Sequence, residues 1–203
     1  MIFENGKIRC WSVQRASHWD ASEHLDKFKN SKLHRELMDS FQLEWMERMM
    51  TKKISPAPDE WHSIIWAWVQ FNGKPIQQPP YDELIIGVQS GSFVMVEFDI
   101  PFDFALLSDN NLWCTALGGD YIGRTDSEDE IVWAEMLKDG LDKISLRSYP
   151  DEWLKRVKKT WEWMFDLEAS REINKDSEQQ CIQASMWFID KSWVRNVVRF
   201  DWG

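Results

Sequence analysis

Cysteine is scarce: Cys10, Cys114 and Cys181 are the only three in 203 residues. They are odd in number, far apart, and in no C-x-x-C or Cys/His ligand spacing. Neither a disulfide framework nor a structural zinc site is expected, and a reducing compartment, the cytoplasm, is the expected location. Long apolar runs are missing too; none approaches the roughly 20 residues that span a bilayer, and the early stretch "RASHWDASEHLDKFKN" is studded with charge. Neither secretion nor membrane insertion is expected.

Positive charge is in deficit. The 24 Lys and Arg against 34 Asp and Glu leave a net charge of −10, a field that repels phosphate backbones and disfavours general nucleic-acid binding. The one basic run, "WLKRVKKTW", reads as the solvated face of an amphipathic helix. No Walker loop, G-x-G-x-x-G, G-x-S-x-G or H-E-x-x-H occurs, so the common nucleotide, hydrolase and metalloprotease readings fail. His18, His24, His34 and His62 lack ligand spacing and read as surface residues, and no metal is expected.

Repeats, low-complexity tracts and Gly/Ser linkers are also absent, so the simplest account is one α+β domain over residues 1–203. "KIRCWSVQ" alternates as a first strand, and Ser17 precedes a short helix in "HWDASEHLDKF". Leu33, Leu37, Phe41, Trp45 and Met49 recur every fourth residue, one stripe of a helix that "SPAPDE" ends. Strands follow in "SIIWAWVQF", "ELIIGV" and "GSFVMVEFDIP", the first closed by the turn signal "NGKP". Asp109 can cap a helix through "NLWCTALGG", Ser127 with Glu130 forms a capping box, and another helix begins near Pro150. The runs "CIQASMWFI" and "WVRNVVRF" read as a C-terminal hairpin, so the sheet is mixed but mainly antiparallel.

Tryptophan is abundant, with 14 residues. Trp45, Trp153 and Trp161 fall in helical stripes and read as packing. Burying an indole gains at most about 4–6 kcal/mol by area, so packing alone can explain many of them. Trp66 and Trp68 share one face of a strand, which is either a packed sheet interior or a cleft wall for a flat ligand such as adenine or nicotinamide. Stacking on such a ring contributes roughly 1–3 kcal/mol. Glu97 and Asp99 share a strand face as well, an acid/base pair or simply the polar side of "VEFDI".

The segments "IWAWVQFNGKP", "VEFDIPFDFALLSDNNLWCTAL", "WEWMFDLE" and "IQASMWFIDKSWVRNVVRF" together resemble a bacterial and phage group known as domain-of-unknown-function family 3841. The likeness runs from "CWSVQ" to the last strand and brings no activity with it. More distantly, the order of a first strand, a helix, an aromatic strand and a late "QAS" strand is similar to small ADP-ribosyltransferase-like domains. That resemblance implies NAD as a substrate, a first-strand residue that grips it, an aromatic ring that stacks on nicotinamide, and a late Gln-x-Glu motif that orients the ribose. Ser12 stands at the gripping position, Gln183 at the Gln, and Ser185 where the Glu is expected.

From the resemblance we expect a divergent NAD-directed transferase, in phage defence or toxin biology, with Gln183 and a substitute carboxylate such as Asp190 as catalytic residues. Ser12, Trp66 and Trp68 would bind NAD. A non-catalytic descendant that binds a nucleotide or protein, or an unrelated fold, also fits. The rival class is an acidic interaction protein whose aromatic surface docks a basic partner. A sugar-binding face is a third reading. By strand alternation alone, Gln183 is an outward polar residue on an edge hairpin.

Overall fold

The computed structural model describes residues 3–31, 40–75, 90–173 and 180–203. Its main sheet has six principal strands: β1 (Lys7–Arg15), β2 (Ile65–Phe71), β3 (Gly91–Pro101), β4 (Leu106–Asp109), β5 (Ile182–Met186) and β6 (Val194–Trp202). They lie in the order β6-β3-β1-β2-β5-β4, and each ladder between them is antiparallel. Two-residue strands, Phe3–Glu4 and Lys74–Pro75, pair antiparallel with β1 and β2 respectively. Among the described residues six helices accompany the sheet: α1 (Ala16–Ala21), α2 (Ser40–Lys53), α3 (Asn110–Gly118), α4 (Asp126–Lys138), α5 (Asp151–Trp161) and α6 (Leu167–Ile173). The fold is α+β with a mainly antiparallel sheet, as the alternation and helical stripes require. Among the described residues no helix is long and apolar enough to cross a membrane.

Alternation in β3 explains the layering. Val94, Val96, Phe98 and Ile100 bury into one cluster with Ile8, Cys10, Ile65, Ala67, Val69 and Ala184, joined by Trp19 of α1 and by Phe28. The opposite face carries the helices at the β2-β5-β4 end, where Leu106 and Trp66 meet Met46, Met49, Trp113, Val157 and Trp161. Trp45 and Trp161 are buried there edge to face, with ring centroids 5.3 Å apart. Trp153 is only half-buried, and its indole N–H donates to Asp139 at 3.0 Å.

Local signals act largely as the sequence dictates. Asp109 Oδ1 accepts from the backbone N–H of Asn111 and Leu112 at the start of α3, and Gly119 ends that helix with φ 84°. Asn72 and Gly73 both have positive φ, 47° and 71°, as a tight hairpin turn after β2 needs. The basic side chains of "WLKRVKKTW" line the outer side of α5, with Val157 and Trp161 buried beneath.

Four expectations need correction. The capping box of α4 is Thr125 with Glu128: Thr125 Oγ1 accepts from Glu128 N at 3.2 Å and Glu128 Oε2 from Arg124 N at 3.0 Å. Both "TDSE" and "SEDE" meet the spacing, and Thr125 alone has the extended backbone that a cap requires. α1 begins at Ala16, so Ser17 lies inside it; it stops at Ala21, where the Ser22 hydroxyl donates to the Trp19 carbonyl at 2.7 Å, and Lys27–Phe28 is a strand paired with Ile189–Asp190. The C-terminal runs are not a hairpin: β5 pairs with β2 and β4, whereas β6 pairs with β3 at the opposite edge. Finally, His62 is buried at 4% exposure with Nδ1 2.6 Å from Asp59 Oδ1, while His24 is exposed and His18 half-buried. Leu33, Leu37, His34 and "ELIIGV" lie outside the described residues.

At the β6 edge Asp99 accepts from Arg9 at 2.9 Å and from Arg195 at 2.7 Å. Burial pushes its carboxyl up, but the two guanidinium bonds outweigh that and hold it below the usual range. A depressed carboxylate contributes stability at pH above its unfolded value, and loses it as pH falls through the folded value. Urea unfolding below about pH 4 should therefore weaken wild type more steeply than Asp99→Asn, which has already lost this increment. For the cap, Asp109→Ala should cost about 1–2 kcal/mol in urea denaturation at neutral pH.

Candidate site on the sheet face

Cross-strand register arranges one row across the helix-bearing face. Glu97 on β3 is opposite Trp11 on β1, Trp11 opposite Trp68 on β2, Trp68 opposite Gln183 on β5, and Gln183 opposite Ser108 on β4. In the next row Ser185 lies between Trp66 and Leu106. Because side chains alternate across a strand, Gln183 and Ser185 point to the same face as the two indoles. Trp66 and Trp68 are half-buried; Trp66 stacks on Trp113 at 5.3 Å and Trp68 meets Phe71 edge-on at 5.4 Å.

The polar members of this face are under-satisfied. Ser108 and Ser185 are fully buried, and neither hydroxyl has a hydrogen-bond partner among the described residues. Gln183 is 9% exposed, and its carboxamide makes no hydrogen bond among the described residues. A buried hydroxyl left unpaired costs about 1–3 kcal/mol, so a polar ligand or water reaching this face would be bound with that much in its favour. Gln183 is not an outward residue of an edge hairpin, because β5 is an interior strand. β5 is buried at all five positions, so its Gln and Ser lie inside the protein.

The structure gathers some of the expected residues and not others. Trp66, Trp68 and Gln183 come together. Ser12 lies on the other side of β1 by alternation, fully buried, where its Oγ donates to the Trp66 carbonyl at 2.7 Å and accepts from Gln14 Nε2 at 2.7 Å. Its hydroxyl is engaged in joining β1 to β2. Asp190 lies off the main sheet, paired with Lys27, and its Oδ1 accepts from the Ser192 hydroxyl at 2.6 Å and backbone N–H at 3.0 Å. The Ser192 hydroxyl bond, chiefly, holds that carboxyl below its ordinary range. Glu97 lies beside Arg9, at 3.6 Å, in the network with Asp99.

Ser108 was the residue that sequence reasoning passed over. The available signal was a serine in the apolar run "ALLSD", whose four strand positions all prove buried. Among the described residues no group of three or more His, Cys, Asp or Glu could hold a metal ion.

Comparison with known families adds one decisive match, over residues 9–195. The chain belongs to the family described as Domain of unknown function (DUF3841). The DUF3841 match includes both rows of the sheet face. No curated protein and no solved structure matches the chain.

The two serines should respond oppositely to truncation. Ser185→Ala removes an unpaired buried hydroxyl, and the ligand-free protein should be unchanged or up to about 1 kcal/mol more stable in urea titration. Ser12→Ala removes the hydroxyl that donates to the Trp66 carbonyl and should be destabilised by about 1–3 kcal/mol.

Proposed function

We propose that the chain is a divergent, cytoplasmic ADP-ribosyltransferase-like protein that acts on NAD, in phage defence or toxin biology. The observation that carries this reading is the pairing of Gln183 with Trp68: a carboxamide that makes no hydrogen bond among the described residues, beside a half-buried indole, with the Ser108 and Ser185 hydroxyls, likewise without a partner among those residues, on the same face. In this reading Trp68 stacks on the nicotinamide or adenine ring, worth about 1–3 kcal/mol, and Gln183 bonds the adjoining ribose. When the bond between ribose C1′ and the nicotinamide nitrogen breaks, its electron pair leaves with nicotinamide and the sugar becomes oxocarbenium-like. The Gln183 carbonyl dipole and the Ser185 hydroxyl oxygen would face that charge until a nucleophilic atom of the acceptor bonds C1′ and releases any proton it carries to solvent.

Asp190 lies off the sheet face, so the proposal assigns it no role in the step. Ser185 in place of a carboxylate favours one alternative, a protein that binds NAD or a related nucleotide without cleaving it. The test is to incubate the protein with radiolabelled NAD and a fractionated bacterial lysate containing proteins and nucleic acids. Binding, nicotinamide release and label transfer are followed together. The transferase reading expects release and transfer, both lost in Gln183→Ala, with NAD binding weakened about tenfold in Trp68→Ala. Binding without release establishes the non-catalytic alternative. Absence of binding at millimolar NAD overturns both.

A further inference from the structure

α4 is apolar on more than one side. Val132 and Met136 bury against Leu141 and Trp153, yet Ile131, Trp133 and Leu137 are 60%, 51% and 47% exposed. An exposed indole on a helix that already has a packed face has no folding role to explain it. Trp133 makes no ring or cation contact among the described residues. Beside it a concave pocket of about 350 Å³ is lined by Asp120, Tyr121, Asp129, Glu130, Trp133 and Met136.

The walls of this pocket are held in place. The Tyr121 hydroxyl donates to Glu128 at 2.6 Å, and Asp129 accepts from the Gly123 N–H at 2.6 Å. Asp120, Asp129 and Glu130 have no ion-pair partner among the described residues. Burial pushes the carboxyls of Asp120 and Asp129 up, as expected where negative charge lacks a counter-ion. The adjacent Arg156 is engaged elsewhere: it bonds Glu135 at 2.5 Å and lies over the Trp153 ring at 4.7 Å. That guanidinium is also 5.8 Å from the Tyr121 ring, so one cation–π contact is already built into this wall.

The lining argues for an organic cation rather than a metal ion. No group of three or more metal-ligating side chains is close enough among the described residues, and Trp, Tyr and Met offer contact to a hydrocarbon stem. The geometry points to a docking site for a basic segment of a partner protein, whose Lys or Arg side chain enters this pocket against Trp133 and Tyr121 and is neutralised by Asp129 and Glu130. Leu137, one turn beyond Trp133, gives the segment an apolar rim to lie on. The net charge of −10 steers such a partner inward. This surface is on α4, apart from the residues that the NAD reading uses, and stands or falls without it.

Fluorescence polarisation of a short fluorescein-labelled Lys/Leu peptide, with a Glu/Leu peptide as its counterpart, tests the inference on the full chain. Wild type should bind the Lys/Leu peptide alone, more weakly as salt rises. Trp133→Ala should weaken binding about tenfold, and Asp129→Asn with Glu130→Gln should weaken it and flatten the salt dependence. Asp103→Asn with Glu23→Gln removes the same charge outside the pocket and should bind as wild type. Circular dichroism confirms that each variant is folded. The inference is overturned if wild type does not prefer the basic peptide, if Trp133→Ala binds normally, or if the two charge variants lose affinity equally.

Discussion

One seam organises this protein. β1 pairs with β3 from Lys7 through Arg15, but with β2 at a single position, Trp11 opposite Trp68. The sheet is thus two halves, β6-β3-β1 and β2-β5-β4, meeting along a junction with almost no ladder. A sparse ladder leaves backbone groups of β2 in need of donors, and Ser12 supplies one to the Trp66 carbonyl. The indoles of Trp11 and Trp68 then occupy the junction where regular hydrogen bonds give out. Position and packing of the candidate face both follow from this arrangement, since Trp68 belongs at once to the seam and to the row containing Gln183.

The tryptophans divide by what surrounds them. Trp161 is fully buried and Trp45 nearly so, and Trp161 also donates its N–H to the Asp120 carbonyl at 2.8 Å. Trp187 donates to the Ser55 carbonyl at 2.9 Å, which ties the chain after β5 to the end of α2. These residues join apolar area to one directional bond, which explains a core rich in indoles. Trp133 and Trp61 have 51% and 63% of their surface in water and belong to a different category.

Much of the fold was legible because it is written locally. The alternation of "GSFVMVEFDIP", the Asp109 cap and the turn at Asn72 and Gly73 are short-range signals, and each appears where its pattern places it. What was hidden depends on partners distant in sequence. "CIQASMWFI" and "WVRNVVRF" look like a hairpin because they are adjacent strands, and only the sheet order shows that each pairs with a strand remote from the other. That same order turns Gln183 from an edge residue into an interior one and leaves the Ser185 hydroxyl unpaired. Of the candidate site, Trp66, Trp68 and Gln183 were readable from parity and resemblance. Ser12 and Asp190 were assigned by position alone, and their actual bonds, to Trp66 and Ser192, are not encoded in any spacing.

The crossing between the last two strands bears on how the chain is made. β5 fills the slot between β2 and β4, and β6 completes the far edge against β3, so residues 182–202 finish both halves. During vectorial synthesis neither half can close until that stretch has left the ribosome. Until then β2 and β4 have no strand between them and β3 has a bare edge, the kind of template that pairs with other chains. The growing polypeptide therefore depends on delayed, nearly simultaneous closure, and a holdase that shields strand edges would have the most to do just before residues 182–202 emerge.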